Sequence, residues 1–241
     1  MYRNLQSLER RDGACALVKK PAARALQMSN PRAHLEDLLD RRPELGGLAD
    51  SIWSAYVETE AAYASGGKLL LCGNGGSASD AEHIAGELMK GFLKKRTVEH
   101  ALQKRLAEVG GLAGETIGSL LQQGMPAISL VSQTALGTAI INDISGDMIF
   151  AQQVNALGQE GDVLWALSTS GNSRNVVAAA IVAQARDMRV VGLTGQSGGA
   201  LRSYADVLLN VPYSETHLIQ EAHLPIYHTL CAMLEEQFFA K

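Results

Sequence analysis

The sequence predicts an α/β protein: a doubly wound, parallel, five-stranded sheet flanked by helices, with further helices at its N-terminal side. Three observations support this prediction. Short apolar runs alternate with helical segments, several of these runs lack polar alternation, and two strand-to-helix junctions are rich in glycine and serine. Runs without alternation are typical of strands buried on both faces, so helices are expected on both sides of the sheet.

The N-terminal part divides into an irregular extension, residues 1–30, and two leading helices of a domain that spans residues 31–241. The extension shows no strong helical or strand period, and residues 1–27 are expected to carry no function. The segment Ser29-Asn30-Pro31 predicts a helix start, because it offers polar cap candidates followed by proline. A second helix is expected from about Leu48 until Gly66-Gly67 ends it.

Five apolar runs are predicted to be strands: Lys68–Gly73, Ala127–Val131, Asp162–Leu167, Arg189–Leu193 and Asp206–Val211. Between the first two runs, residues 97–123 contain several glycines and are expected to form a loose helical excursion. The chain closes with a predicted helix from about His217 to Phe239.

Composition excludes several classes of protein. A chain of 241 residues with 46% hydrophobic and 19% charged residues can bury a full core, which excludes disorder throughout and a collagen-like architecture. The net charge of −4 disfavours a nucleic-acid partner. Cys15, Cys72 and Cys231 lack CxxC spacing, so free thiols in a reducing compartment are expected. No apolar run approaches the roughly 20 residues that span a bilayer, and we expect a cytoplasmic protein without a membrane partner.

Two junctions are candidate phosphate-binding elements. The first follows the first predicted strand and exposes backbone amides at a helix start; its candidates are Asn74, Gly75, Gly76 and Ser77. The second is a hydroxyl-rich loop after the third predicted strand, with the candidates Ser168, Thr169, Ser170 and Ser173. Each alone is a weak signal, because glycine and serine are ordinary turn and cap residues. Neither fits a Walker or GxGxxG loop, so the pair indicates a sugar phosphate rather than a nucleotide.

The two loops resemble those of the SIS (sugar isomerase) domain family, and within it the phosphoheptose isomerases. The resemblance extends from about Leu35 to Phe239 and also includes Asp80, His83, Glu87, Asn142-Asp143 and the segment from Ile219 to His228. It implies conversion of sedoheptulose 7-phosphate to D-glycero-D-manno-heptose 7-phosphate for heptose-containing glycans. It also implies a homotetramer with a central helix bundle, active sites at subunit boundaries, and one zinc ion per subunit, held by residues matching His83, Glu87, Gln220 and His228.

Two features depart from the family pattern. The excursion at residues 97–123 is longer than in compact members, which leaves the exact substrate open. His217 stands where some members carry an acidic residue, so a contact to the substrate is expected to differ there.

The spacing of the candidate site residues has geometric consequences. His83 and Glu87 are four residues apart, so on a helix they share one face at about 6 Å; a plain surface pair is the alternative. Gln220 and His228 are separated by about 12 Å of helix rise, too far for two ligands of one ion. Either the segment before about Leu224 is not a regular helix, or the two ligands come from different copies of the chain. His223 is interpreted as a structural residue.

The chemistry expected from these residues is isomerisation through an enediol, which needs a base, an acid/base partner and stabilisation of an oxyanion. Glu87 is the candidate base, His228 the acid/base partner, and zinc the Lewis acid. Asp80 is expected to hold a neighbouring group. Asp143 is expected either to bind sugar hydroxyls or to form an Asx turn.

Three alternatives remain open. The first is a non-catalytic SIS scaffold that binds a replication initiator, which the intact His/Glu and Gln/His pairs disfavour. The second is a module that senses a sugar phosphate, which would need a DNA-binding part that residues 1–27 are too short and irregular to supply. The third is an isomerase of another sugar phosphate.

Overall fold

The computed structural model describes residues 29–240, and its centre is a parallel sheet in the order β2-β1-β3-β4-β5. The strands are β1 Leu69–Cys72, β2 Ala127–Ser129, β3 Val163–Leu167, β4 Arg189–Thr194 and β5 Val207–Asn210. All four neighbouring pairs are parallel. The predicted fold class is confirmed, and each strand lies within two residues of the run that predicted it.

Eight helices surround the sheet within the described residues. They are α1 Pro31–Arg41, α2 Ala49–Ala64, α3 Gly76–Met89, α4 His100–Leu120, α5 Thr134–Asp143, α6 Ala151–Leu157, α7 Arg174–Ala185 and α8 Thr216–Phe239. Helices α1, α2, α3 and α8 share a buried apolar core on one face of the sheet. Helices α6 and α7 bury the other face.

Strand β1 shows why the apolar runs do not alternate. Leu69 and Leu71 belong to the core on the α8 side, whereas Leu70 and Cys72 belong to the core on the α7 side. All four are fully buried. Because successive side chains point to opposite faces and both faces are covered, each position of the strand must be apolar.

The first helix begins at Pro31, but the predicted polar cap is wrong. Asn30 is in the cap position and makes no side-chain hydrogen bond to the helix. The hydroxyl of Ser29 instead donates to Oε1 of Gln237, 3.1 Å away in α8. A tertiary contact therefore takes the side chain that local spacing had assigned to the cap. Of the predicted N-terminal extension, residues 1–28 lie outside the described part of the chain.

The segment between α3 and β2 is better ordered than the loose excursion predicted for it. Gly111 has a φ of 54° and breaks α4 into two helical pieces, residues 100–110 and 112–120. The pieces fold back on one another, since Gly114 lies against Leu106 and Gly118 against Gln103 with no room for a Cβ at Gly114. We call this unit the α4 hairpin.

The two ends of the α4 hairpin meet in a short neck. Thr97 and Gln122 form an isolated antiparallel bridge, and the amide of Gln123 donates to the carbonyl of Arg96 at 2.6 Å. No helix among residues 29–240 combines the length and apolar character needed to cross a bilayer. Cys72 and Cys231 are buried free thiols.

The sheet order places the candidate loops together. The chain runs outward in one direction from β1 to β2 and in the other from β3 to β5, so the order reverses between β1 and β3. The loops that follow β1 and β3 leave from the carboxyl ends of these adjacent strands. That crevice is where open α/β sheets bind their ligands.

Candidate active site

The glycine loop after β1 turns too tightly for side chains at several positions. A Cβ at Gly73 would lie 2.5 Å from the carbonyl oxygen of Ser77, and Gly75 has a φ of 57°. A Cβ at Gly76 would collide with the side-chain amide of Gln220 on α8. Ser77 is buried and Asn74 is exposed. The loop thus opens α3 with free first-turn amides, which suit an anion.

The hydroxyl-rich loop after β3 lines a cavity of about 480 Å³, to which Thr169 and Ser170 contribute. The hydroxyl of Ser168 instead donates a hydrogen bond to the hydroxyl of Ser173 within the loop, and the two oxygens are 3.0 Å apart. The remaining walls of the cavity come from Asn172, Gly195, Gln196, Ser197, Tyr213, Ser214 and Ile219. Two of the four predicted hydroxyls therefore face the cavity, and two shape the loop.

A reciprocal pair of amides joins the two loops. The side-chain nitrogen of Asn74 donates to Oδ1 of Asn175 at 2.9 Å, and that of Asn175 donates back to Oδ1 of Asn74 at 3.0 Å. Asn175 lies in the first turn of α7. The pair holds the phosphate-binding candidates of β1 and β3 in a fixed relationship. Sequence reasoning missed Asn175, although it lies immediately beyond the recognised loop.

Glu87 and His228 converge on one nitrogen of His83. Nε2 of His83 lies 3.3 Å from Oε1 of Glu87 and 3.4 Å from Nε2 of His228. His83 and Glu87 share one face of α3, as their spacing predicts, while His228 comes from α8. The terminal helix therefore reaches the α3 pair within one chain.

A buried tyrosine supports His83 from behind, and sequence reasoning missed it. The hydroxyl of Tyr227 lies 3.1 Å from Nδ1 of His83 and donates to Oδ1 of Asp80 at 3.1 Å. Because this hydroxyl gives its only proton to Asp80, it must accept from Nδ1–H of His83. Nε2 of His83, which carries either a lone pair or a second proton, therefore faces Glu87 and His228. The one available signal was that a buried phenol needs a polar partner.

Burial and neighbouring charges set the protonation of the cluster. Burial works to raise the pKa of Glu87, but the Lys90 ammonium, 2.7 Å from Oε2, and His83 outweigh it and the pKa is lowered. Burial and the nearby His83 lower the pKa of His228. Burial raises the pKa of Asp80 despite the Tyr227 hydrogen bond. At neutral pH Glu87 is therefore ionised and His228 is neutral.

Gln220 does not join this cluster in one chain. Helix α8 is continuous from Thr216 to Phe239 with Pro225 inside it, so the expectation that the segment before Leu224 is not helical is wrong. Gln220 packs on Gly76 at the first turn of α3, whereas His228 lies beside His83, two turns further along. The remaining alternative, ligands from different copies, stays a prediction.

Two other candidates lie away from the cluster. Asp143 is exposed at the end of α5, where its Oδ1 accepts a hydrogen bond from Nδ2 of Asn142 at 2.7 Å. His223 is fully buried, with Nε2 3.2 Å from the carbonyl oxygen of Thr194, in agreement with a structural role. Burial lowers the pKa of His223 to about 4.

The loop after α3 is fixed by a buried ion pair that sequence reasoning also missed. Oε1 of Glu235 accepts from Nε of Arg96 at 2.7 Å, and both side chains are almost fully buried. The same carboxylate accepts from three successive backbone amides, those of Phe92, Leu93 and Lys94. This anchoring positions Phe92, whose ring is tilted against that of His228 with the two ring centroids 5.4 Å apart. Glu235 and Tyr227 both lie on the apolar side of α8. A carboxylate in such a position needs a buried partner, and this was the signal available in the sequence.

The donor chemistry of the cluster suits zinc, although the side chains do not form a closed site. Tetrahedral zinc with bonds of about 2.0–2.1 Å spaces its ligands by roughly 3.3 Å, which matches the two contacts of His83 Nε2. When Nδ1 of His83 carries the proton that faces Tyr227, the lone pair of Nε2 faces the Glu87 carboxylate. Either a proton or a cation between Nε2 and Glu87 would make this contact favourable. Yet Oε2 of Glu87 is paired with Lys90. Within residues 29–240, no group of three or more His, Cys, Asp and Glu is arranged to hold a metal ion.

The fold and the site define a class of protein. Residues 106–195 match the family model of the SIS domain, and the hydroxyl-rich loop after β3 lies inside the matched region. The phosphoheptose isomerase of Burkholderia pseudomallei is 42% identical over 181 residues, which cover 75% of this chain and 79% of that protein. The chain thus belongs to the phosphoheptose isomerase family.

Solved structures agree with this assignment. The phosphoheptose isomerase GmhA from Neisseria gonorrhoeae is similar with a TM-score of 0.64 and 35% identity, over 85% of this chain and 96% of that one. A phosphoheptose isomerase from Francisella tularensis gives a TM-score of 0.66 and 32% identity, over 84% and 95% of the two chains.

Proposed function

We propose that this chain interconverts sedoheptulose 7-phosphate and D-glycero-D-manno-heptose 7-phosphate, supplying a precursor of heptose-containing glycans. Membership of the phosphoheptose isomerase family supports the reaction type and the substrate class. The observation that carries the proposal is the convergence of Glu87 and His228 on His83. A carboxylate and imidazoles at one point are the groups that an aldose–ketose proton transfer needs.

The phosphate ester is assigned to the two loops at the ends of β1 and β3. Thr169 and Ser170 offer hydroxyls in the cavity, and Ser168 with Ser173 holds that loop in shape. The amides at Gly75, Gly76 and Ser77 add a helix N-terminus, and Asn74 ties this loop to α7. The rise of α3 from Gly76 to His83 is about 10 Å. That distance suits a sugar chain that extends from its ester to its carbonyl group.

Proton transfer is assigned to Glu87 and His228. Ionised Glu87 would take the proton from C1 of the ketose and return it to C2, and the reverse direction would give the ketose. Neutral His228 would move the hydroxyl proton between the oxygens of C1 and C2. No electrons leave the substrate, because the carbonyl and the alcohol exchange places. The lowered pKa of each group favours these protonation states at neutral pH.

The other candidates receive roles at the sugar. Gln220 packs on Gly76 at the start of α3, about two helical turns before His83, a position suited to a sugar hydroxyl. Asp80 holds Tyr227 and so acts through His83. Asp143 is proposed to bind sugar hydroxyls across a subunit boundary, since its described side-chain contact is only with its neighbour Asn142. This role is consistent with a cytoplasmic homotetramer whose sites lie at subunit boundaries.

One zinc ion per subunit is proposed to be held by His83, Glu87 and His228 together with a Gln220 from a neighbouring copy. When bound, zinc would polarise the carbonyl oxygen and stabilise the negative charge of the enediolate. Tyr227 would keep Nδ1 of His83 protonated and so leave Nε2 available as a ligand.

Proton NMR of the purified full-length protein with sedoheptulose 7-phosphate tests the proposal. We expect aldoheptose signals to grow in and, in D₂O, deuterium to enter at C2. The measurement is made on the metal-stripped protein and again after zinc is added, with metal content determined by mass spectrometry. Unchanged spectra in both conditions would refute the proposed function. Equal turnover with and without zinc would refute the metal assignment alone.

A further inference from the structure

The α4 hairpin presents an apolar surface to solvent. Leu102 and Val109 lie seven residues apart in the first piece and Ile117 and Leu120 three apart in the second, so each pair shares one helical face; Leu112 stands at the start of the second piece. Their exposed fractions are 45% for Leu102, 89% for Val109, 82% for Leu112, 48% for Ile117 and 74% for Leu120. Single exposed aliphatic residues are common on proteins, but a contiguous patch marks a contact surface.

The described part of the chain does not use this surface. Between residues 29 and 240, the α4 hairpin makes no extensive contact with any other helix or strand. Its own interior consists of close backbone approaches at Gly114 and Gly118, the two residues of α4 that are buried. Helical pieces of about ten residues are marginal in water without packing on one face. Packing on a further surface would therefore stabilise the hairpin.

The size of the patch matches one side of a protein interface. At about 60–120 Å² for each exposed aliphatic side chain, the five side chains offer on the order of 400–500 Å². A standard interface buries about 800 Å² per partner, of which roughly half to two-thirds is apolar. The patch is too large for a crevice that holds a small ligand and adequate for a second polypeptide.

The charges of the hairpin favour a second copy as the occupant. Lys104 and Arg105 are balanced by Glu108 and Glu115, so two identical surfaces meet without net repulsion. We propose that the α4 hairpin packs on the α4 hairpin of a second copy of this chain about a two-fold axis. A closed two-fold contact also covers both patches at once, whereas a head-to-tail contact would leave one exposed. This interface does not depend on the proposed activity.

Site-directed cross-linking tests the interface. In a Cys15→Ser background, the variants Val109→Cys and Leu112→Cys each place one accessible thiol on the hairpin, since Cys72 and Cys231 are buried. Both positions are more than 80% exposed, so the smaller cysteine side chain leaves no buried cavity there. A short bismaleimide at micromolar protein should give a covalent dimer in at least one variant, in a yield unchanged by tenfold dilution. Far-UV circular dichroism checks that each variant is folded.

The matched control is Ile181→Cys on α7, which is 43% exposed on another face of the domain. A second control removes residues 2–28, and we expect the hairpin cross-link to persist. No dimer at either hairpin position, or a yield no higher than that of the control, would overturn the proposal. Loss of the dimer in the shortened chain would also overturn it, in favour of an interface that requires the N-terminal segment.

Discussion

The hydroxyl oxygen of Tyr227 lies 3.1 Å from Nδ1 of His83. Tyr227 belongs to α8 and His83 to α3, so the contact joins the two helices that supply the candidate catalytic groups. The direction of the bond is fixed by Asp80, which accepts the phenolic proton. The hydrogen bonds of Tyr227 thus determine which nitrogen of His83 faces Glu87 and His228.

Tyr227→Phe should lower kcat by about 10- to 100-fold, with a much smaller change in KM, because it frees the His83 ring without altering the phosphate loops. Zinc affinity, measured by competition with a chromogenic chelator, should fall by a similar factor. The matched control is Tyr63→Phe, which removes a hydroxyl that donates to the carbonyl of Pro126 at 3.2 Å, away from the site. Equal kcat and zinc affinity in Tyr227→Phe and the parent would contradict a positioning role.

Glu87→Gln and His228→Ala should each reduce isomerisation by about 10²- to 10⁴-fold, the usual contribution of a general base or acid. The measurement is initial rate by NMR at saturating sedoheptulose 7-phosphate. Glu82→Gln is the control, because Glu82 lies on the exposed face of the same helix and bonds to Ser132. Normal turnover in a Glu87 or His228 variant would remove that residue from the mechanism.

Glu235→Ala should cost about 3–5 kcal/mol of unfolding free energy, since it leaves the buried Arg96 guanidinium and three backbone amides without their acceptor. Urea denaturation measures the change. Asp37→Asn breaks the exposed Arg41 pair and should cost less than about 1 kcal/mol. Similar losses in the two variants would contradict the special role of the buried carboxylate.

Stability should fall as the pH is lowered from about 6.5 to about 4, in part because of His223. The folded pKa of about 4 lies below the ordinary value of 6.5, so the unfolded chain binds more protons in this range and acid favours unfolding. The contribution is about 3 kcal/mol and is fully lost near pH 4. His223→Gln lacks this titration, so between pH 6.5 and pH 4 its free energy of unfolding should fall by about 3 kcal/mol less than that of the parent. A difference in unfolding free energy between the two proteins that stays constant from pH 6.5 to pH 4 would contradict this role of His223.

Much of the fold could be predicted from sequence because its strands are buried on both faces. Such a strand leaves an unbroken apolar run, and the runs that contain β1 and β3 bracket the observed strands closely. The spacing of His83 and Glu87 likewise fixed their shared helical face. These features follow from local geometry, which the sequence encodes directly.

Contacts between distant segments could not be predicted in this way. Tyr227, Asn175 and Glu235 take their roles from partners that are 101–147 residues away along the chain. The Ser29 hydroxyl was assigned to a helix cap for the same reason, since its actual acceptor on Gln237 is 208 residues away. The fold-back of the α4 hairpin was not predicted because its two pieces meet through Gly114 and Gly118 rather than through facing apolar side chains.

The neck at Thr97 and Gln122 lets the chain enter and leave the α4 hairpin at a single point. An appendage attached in this way can be shortened, exchanged or enlarged while every sheet strand keeps its register. The strand that follows the hairpin, β2, lies at the edge of the sheet and pairs with β1. A small movement of the neck would therefore affect no strand beyond β1. A change in the exposed surface of the hairpin therefore leaves in place the strands that carry the two candidate phosphate loops.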